Sequence, residues 1–144
     1  MTAMIQRLAS FIRRLLLVLL MPLLLGGLSH AVAADLFVIA HPDVKLTADM
    51  IRDIYTGEKQ FSGTVKIVPL DNAAGQEDFL KKVLRIDQSR YENLWVKKSF
   101  RDALNPPAMR HSDKEIADMV RKTPGAIGYI TSSPPAGVAV IQKF

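Results

Sequence analysis

Fourteen uncharged residues in a row, Leu15–Leu28 (LLLVLLMPLLLGGL), follow Arg7, Arg13 and Arg14 and precede Ala31-Val32-Ala33. A helix needs about 20 apolar residues to span a bilayer. The run is too short for a permanent anchor, and Pro22 and Gly26-Gly27 weaken it further. A basic start, a short apolar centre and an A-x-A site form the pattern of a secretory leader. Residues 1–34 are therefore expected to be a signal peptide, cut after Ala33 or Ala34, with residues 35–144 as the folded domain. That places the mature chain in the periplasm, with no stable membrane anchor.

The leader also decides how the charge reads. The whole chain carries 19 Lys+Arg against 14 Asp+Glu, a net charge of +5. Three arginines leave with the leader and no acid does, so 16 bases against 14 acids give +2 over the remaining 110 residues. Mixed charge of that size lacks the field of a nucleic-acid binder. Cysteine is absent, which excludes a disulfide framework, a thiolate metal site and a thiol nucleophile. His41 and His111 have no ligand-spaced neighbours, so neither a metal site nor a cofactor site is read.

Hydrophobic spacing outlines the elements. Leu36–Ala40 is a short apolar run with the character of a buried strand. Thr47 is placed to cap a helix over about Ala48–Thr56, with Ile51, Ile54 and Tyr55 on one face and Gly57 as its C′ residue. Thr64–Leu70 alternates with period two and reads as a strand ending near Pro69, followed by a turn over Asp71–Gly75. Gln76–Leu84 has helical spacing, and Asp87 caps a second helix that sets Tyr91, Leu94, Trp95 and Lys98 on one side. Leu104–Pro107 is irregular. Ser112-Asp113-Lys114-Glu115 is a full capping box, and Ile116, Met119 and Val120 form the inner face behind it. Ala126–Ile130 is a strand whose Gly128 implies close backbone approach, and Gly137–Ile141 is a last strand. Alternating strands and helices argue for one α/β domain.

Four segments, in order, carry a family resemblance. They are Leu46-Thr47 with Ile51 and Ile54–Gly57; Val65–Leu70; Phe79-Leu80 with Val83-Leu84, Tyr91 and Trp95; and Pro124–Ile130 (PGAIGYI). Together they resemble the phosphate-binding protein of ABC transporters, in the type 2 periplasmic binding protein superfamily. The resemblance implies an α/β fold that is one lobe of a two-lobed clamshell, with a mixed sheet of about four to five strands flanked by about four helices. It also implies an oxyanion ligand such as phosphate. Members of that family carry Arg-x-x-x-Ser-Gly-Thr before the helix that holds the aromatic residue. Here Leu70, Ala74, Gly75 and Gln76 stand at those positions, and only the glycine is kept. Glu77 and Asp78 follow, adding negative charge where the helix start favours an anion.

Two segments remain as candidate ligand sites. Asp71, Asn72, Ala74, Gly75 and Gln76 offer backbone N–H groups and amide side chains at a helix start, or simply a capped turn. Arg110 and Ser112, beside His111, bring a cation and a hydroxyl to another helix start, or simply cap it. Tyr91 and Trp95 suit a core better than a stacking platform. No nucleophile elbow, zincin motif or Walker loop is present, so no enzyme is expected. Two functions follow from the resemblance. One is a non-catalytic exported solute-binding module with a weakly held small anion. The other is an envelope accessory protein that kept the lobe, lost the ligand, and binds an envelope partner or a second copy of itself.

Overall fold

Residues 34–144 are described in a computed structural model of the chain. The leader expected over residues 1–34 lies outside them, apart from Ala34. No helix among the described residues is long and apolar enough to cross a membrane.

Phe37–Ala40 forms β1, and its alternation sorts two cores. Val38 and Ala40 point into one apolar cluster and Ile39 into the other, all without solvent exposure. Ala126–Ile130, here β6, does the same: Ile127 and Tyr129 join the first cluster, Ala126 and Ile130 the second. A strand buried on both faces reads as a continuous apolar run, which is how both segments appear in the sequence.

The remaining elements are α1 (Met50–Tyr55), a two-residue ribbon of β2 (Phe61–Ser62) and β3 (Val65–Lys66), β4 (Val68–Asn72), α2 (Gln76–Phe79) continuing into a π-helical turn over Leu80–Leu84, α3 (Gln88–Asp102), β5 (Ala108–Arg110), α4 (Asp113–Lys122) and β7 (Ala139–Lys143). The five-stranded sheet has the order β5-β4-β6-β1-β7. It is mixed. β4 runs parallel to β5 and β6, while β1 is antiparallel to β6 and β7. The β1–β7 register slips between Val38 and Ile39.

From β4 the chain moves outward to β5, then back past β4 to β6. Crossovers of one hand that reverse direction must lie on opposite faces of the sheet. The apolar contacts agree. Ile54, Tyr55, Phe79, Leu84, Tyr91 and Trp95 from α1, α2 and α3 fill the first cluster, and Ile116, Ala117 and Val120 from α4 fill the second. The expected single α/β domain, with a mixed sheet and four flanking helices, is the architecture found.

Several local expectations move. The first helix starts at Met50, and Thr47 serves it through its carbonyl, which accepts from the Met50 N–H at 3.1 Å. The strand expected to stop near Pro69 continues through Asp71 and Asn72, because β5, invisible as a strand in the sequence, pairs with Leu70–Asn72. Pro69 is tolerated because the neighbouring Val68 N–H already points to β6, at 2.9 Å from the Gly125 carbonyl. The missing donor of Pro69 thus faces the side where β5 has not yet begun. The last strand lies two residues later than expected, at Ala139–Lys143.

Gly128 is where α4 meets the sheet. A Cβ there would sit 2.5 Å from the Ile116 Cγ2 methyl, and Ile116 is fully buried. Gly128→Ala is expected to destabilise the fold by about 1–3 kcal/mol through overpacking. Urea unfolding checks this, and an unchanged midpoint would show that α4 does not rest on Gly128.

Candidate functional site

Adjacent parallel strands whose following helices lie on opposite faces open a crevice at their carboxyl ends. β4 leads to α2 on one face and β5 leads to α4 on the other, so that crevice lies beyond Asn72 and Arg110. These two residues are cross-strand partners, and the Ala73 N–H donates to the Arg110 carbonyl at 2.8 Å. The two candidate segments, separate in the sequence, are therefore brought together at one end of the sheet.

The crevice is built from groups that satisfy one another. Asn72 is fully buried. Its Nδ2 donates to Asp113 Oδ1 at 2.6 Å and to the Tyr129 carbonyl at 3.0 Å, and its Oδ1 accepts from the Ala74 N–H at 3.1 Å. The Gly75 N–H donates to the Asn72 carbonyl at 3.0 Å. Asp113 opens α4, and its Oδ2 accepts from the Thr131 N–H and hydroxyl, each at 3.0 Å, and from the Ser132 N–H at 2.8 Å. Burial pushes the Asp113 carboxyl up, but the hydrogen bonds from Asn72, Ser132 and Thr131 outweigh it and hold the group below the usual carboxylate range. Asp113 is thus a half-buried anion in a ring of donors.

Ser112 is spent on capping, its Oγ accepting from the Glu115 N–H at 3.3 Å. Glu115 returns the contact one residue earlier than a standard box, to the His111 N–H at 3.2 Å. Gly75 precedes α2 with no side-chain cap, and Glu77 and Asp78 occupy its first turn. Arg110 is half-buried, with its Nε enclosed and unpartnered.

Asp71 faces the other side of β4. The turn expected over Asp71–Gly75 is strand at this position, and only 2% of Asp71 is exposed. Its Oδ2 accepts from the Tyr91 hydroxyl at 2.9 Å and its Oδ1 from the Tyr129 hydroxyl at 3.0 Å. Desolvation raises its pKa from the usual 3.8 to about 6, against the lowering pull of hydrogen bonds from Tyr91, Tyr129 and Gln76. Burial and the nearby Asp71 charge push both tyrosines up, so their hydroxyls remain donors at neutral pH. A buried carboxylate repels an anion, so Asp71 does not fit the role of anion ligand. With Gln76 it lines instead a groove of about 470 Å³ between α3 and the approach to β5. Tyr91 and Trp95 are buried, as a core reading expects, and they also form part of that groove.

Tyr129, Asp113 and Thr131 were missed as polar partners. Tyr129 lay hidden in an apolar strand pattern, and Asp113 inside a capping box. No group of three His, Asp or Glu side chains that could hold a metal occurs among the described residues.

No family model and no curated protein matches the sequence. Solved structures do. A structure described as a phosphate ABC transporter substrate-binding protein from Clostridium perfringens, with bound phosphate, superposes with a TM-score of 0.55 at 23% identity, covering 76% of this chain and 45% of that one. PstS from Borrelia burgdorferi gives a TM-score of 0.46 at 22% identity, over 67% of this chain and 41% of that one. An ABC-type phosphate transport receptor from Vibrio cholerae gives 0.45 at 15% identity, over 81% and 52%. The chain spans about half the length of these proteins. Its fold is that of a periplasmic-binding-protein-like lobe.

A group whose folded pKa is raised binds its proton more tightly when folded, so its contribution to stability falls as pH rises from the unfolded to the folded value. For Asp71 that window runs from about 4 to about 6. Wild type is expected to lose on the order of 2 kcal/mol relative to Asp71→Asn across this window. Urea unfolding of both forms measures it, and carboxyl NMR should place the Asp71 midpoint near 6. A midpoint near 4 would remove the effect.

Proposed function

We propose that this chain is an exported, non-catalytic solute-binding lobe of phosphate-binding-protein type, acting in the periplasm and holding phosphate or a related small anion only weakly. The observation that carries this reading is the Asp113 carboxylate. Asn72, Thr131 and Ser132 already turn their donors on it, in the crevice where a sheet of this topology receives ligand. What is left for an incoming anion is the Arg110 guanidinium and the uncapped start of α2, opposed by Glu77 and Asp78. One cation without hydroxyl donors supports weak rather than tight capture. Export rests on the leader-like pattern of residues 1–34.

Calorimetry of the exported form with phosphate and sulfate tests the reading. Dissociation constants are expected in the millimolar range, about −4 kcal/mol, and Arg110→Ala should abolish the residual heat. Micromolar phosphate binding would overturn the weak-anion assignment. Cell fractionation should find the chain in the periplasm, beginning at Ala34 or Asp35.

A second reading, an accessory lobe that pairs with an envelope protein or with itself, is favoured by one observation. Phe100 and Val96 on α3 are 90% and 54% exposed, more apolar surface than one helix needs to show. A strictly monomeric species in sedimentation, with no partner in crosslinked envelopes, would count against it.

A further inference from the structure

The groove beside α3 lies on the opposite face of β4 from the Asn72 crevice, and its chemistry is opposite too. Asp71 and Gln76 lie at its floor. Tyr91, Trp95 and Phe100 supply aromatic surface on one side, and Pro106, Pro107 and Met109 supply apolar surface on the other. Its charged lining is Asp71 and Glu92, and neither Lys nor Arg is among the lining residues. Asp71 has no cation within ion-pairing distance among the described residues; its partners are hydroxyls and an amide. Those hydrogen bonds offset only part of the cost of burying the carboxylate, and no counter-charge offsets the rest. The Trp95 indole Nε1 lies near the Tyr91 hydroxyl but is enclosed with no hydrogen-bond partner.

We propose that this groove binds an organic cation with an apolar body, such as an arylalkyl ammonium, its charge drawn to Asp71 and Glu92 and its ring packed against Tyr91, Trp95 and Phe100. An anion would meet two carboxylates and no base. A neutral apolar solute would gain area burial but bring Asp71 no counter-charge. A cation gains both the carboxylates' field, little screened at the floor, and attraction to the aromatic faces. The assignment goes beyond the weak-anion reading of the crevice and stands or falls separately from it.

The titratable groups facing Asp71 are Tyr91 from α3, Tyr129 from β6 and Tyr55 from α1, with Glu92 also lining the groove. Burial pushes all three tyrosines up, so among the groups that touch it Asp71 alone gains a proton between neutral and mildly acid pH.

Benzyltrimethylammonium, whose charge is permanent, is the probe. Trp95 is the one tryptophan of the sequence and reports occupancy by fluorescence, with calorimetry as a second readout. At about pH 7.5 the titration should saturate, and at about pH 5 the affinity should fall at least about fivefold as Asp71 is neutralised. Asp71→Asn should weaken binding about tenfold or more. If that variant does not fold, Phe100→Ala serves, since Phe100 is 90% exposed, and it should weaken binding severalfold. Benzyl alcohol should bind more weakly at every pH. The proposal is overturned if neither readout saturates by about 10 mM probe, if benzyl alcohol binds as tightly, or if pH and Phe100→Ala leave the affinity unchanged. Phosphate titrated in parallel reports on the crevice. Its heat, present or absent, judges the anion reading without touching this one.

Discussion

A single buried carboxylate ties together three elements at one end of the sheet. Asp71 sits in β4, takes one hydroxyl from α3 through Tyr91 and one from β6 through Tyr129, and so joins a central strand, its neighbour and the long helix above them. Tyr129 in turn stacks on Phe79 at 4.0 Å between ring centroids, nearly parallel. Tyr55 tilts against both rings and donates its hydroxyl to the Leu70 carbonyl at 2.9 Å. Each hydroxyl of this aromatic layer thus has an acceptor, which is the condition for burying tyrosine at all. Replacing the carboxylate by a leucine would strand two hydroxyls in an apolar layer, so the acid is required by the structure around it.

Neighbouring residues of one strand face opposite ways, and here that alternation separates two kinds of electrostatics. Asn72 looks toward α4, where Asp113 gathers donors from Thr131 and Ser132. Asp71 looks toward α3 and an aromatic groove without bases. The end of β4 therefore presents two surfaces of different character at adjacent positions. The donors of the crevice are already turned on Asp113, whereas the groove is lined by two carboxylates and no base.

The fold was legible in the sequence where burial follows a simple period. β1 and β6 show as unbroken apolar runs because both faces are covered, and Gly128 announces the contact with Ile116. Asp87 and Ser112 cap α3 and α4 as their spacing indicates. What escaped was decided by tertiary pairing. Ala108–Arg110 is too short and too exposed to signal a strand, and without it Asp71 and Asn72 look like a turn after Pro69. The site residues were visible as types but not as partners. Nothing local in the sequence brings Arg110 beside Asn72, or turns Tyr129 toward Asp71.

One irregularity in the sheet bears on how the domain meets other copies of itself. β7 is an outer strand with Val140 half exposed, an edge of the kind that invites a foreign strand to add on. The register slip beside Val38 and Ile39 bends the ladder that supports it. Lys143, paired with Asp35 at 2.8 Å, places charge at its end. A second molecule approaching that rim would find a kinked, charged rail in place of a straight one. The five-residue strand that borders the sheet is therefore a poor template for edge-to-edge addition.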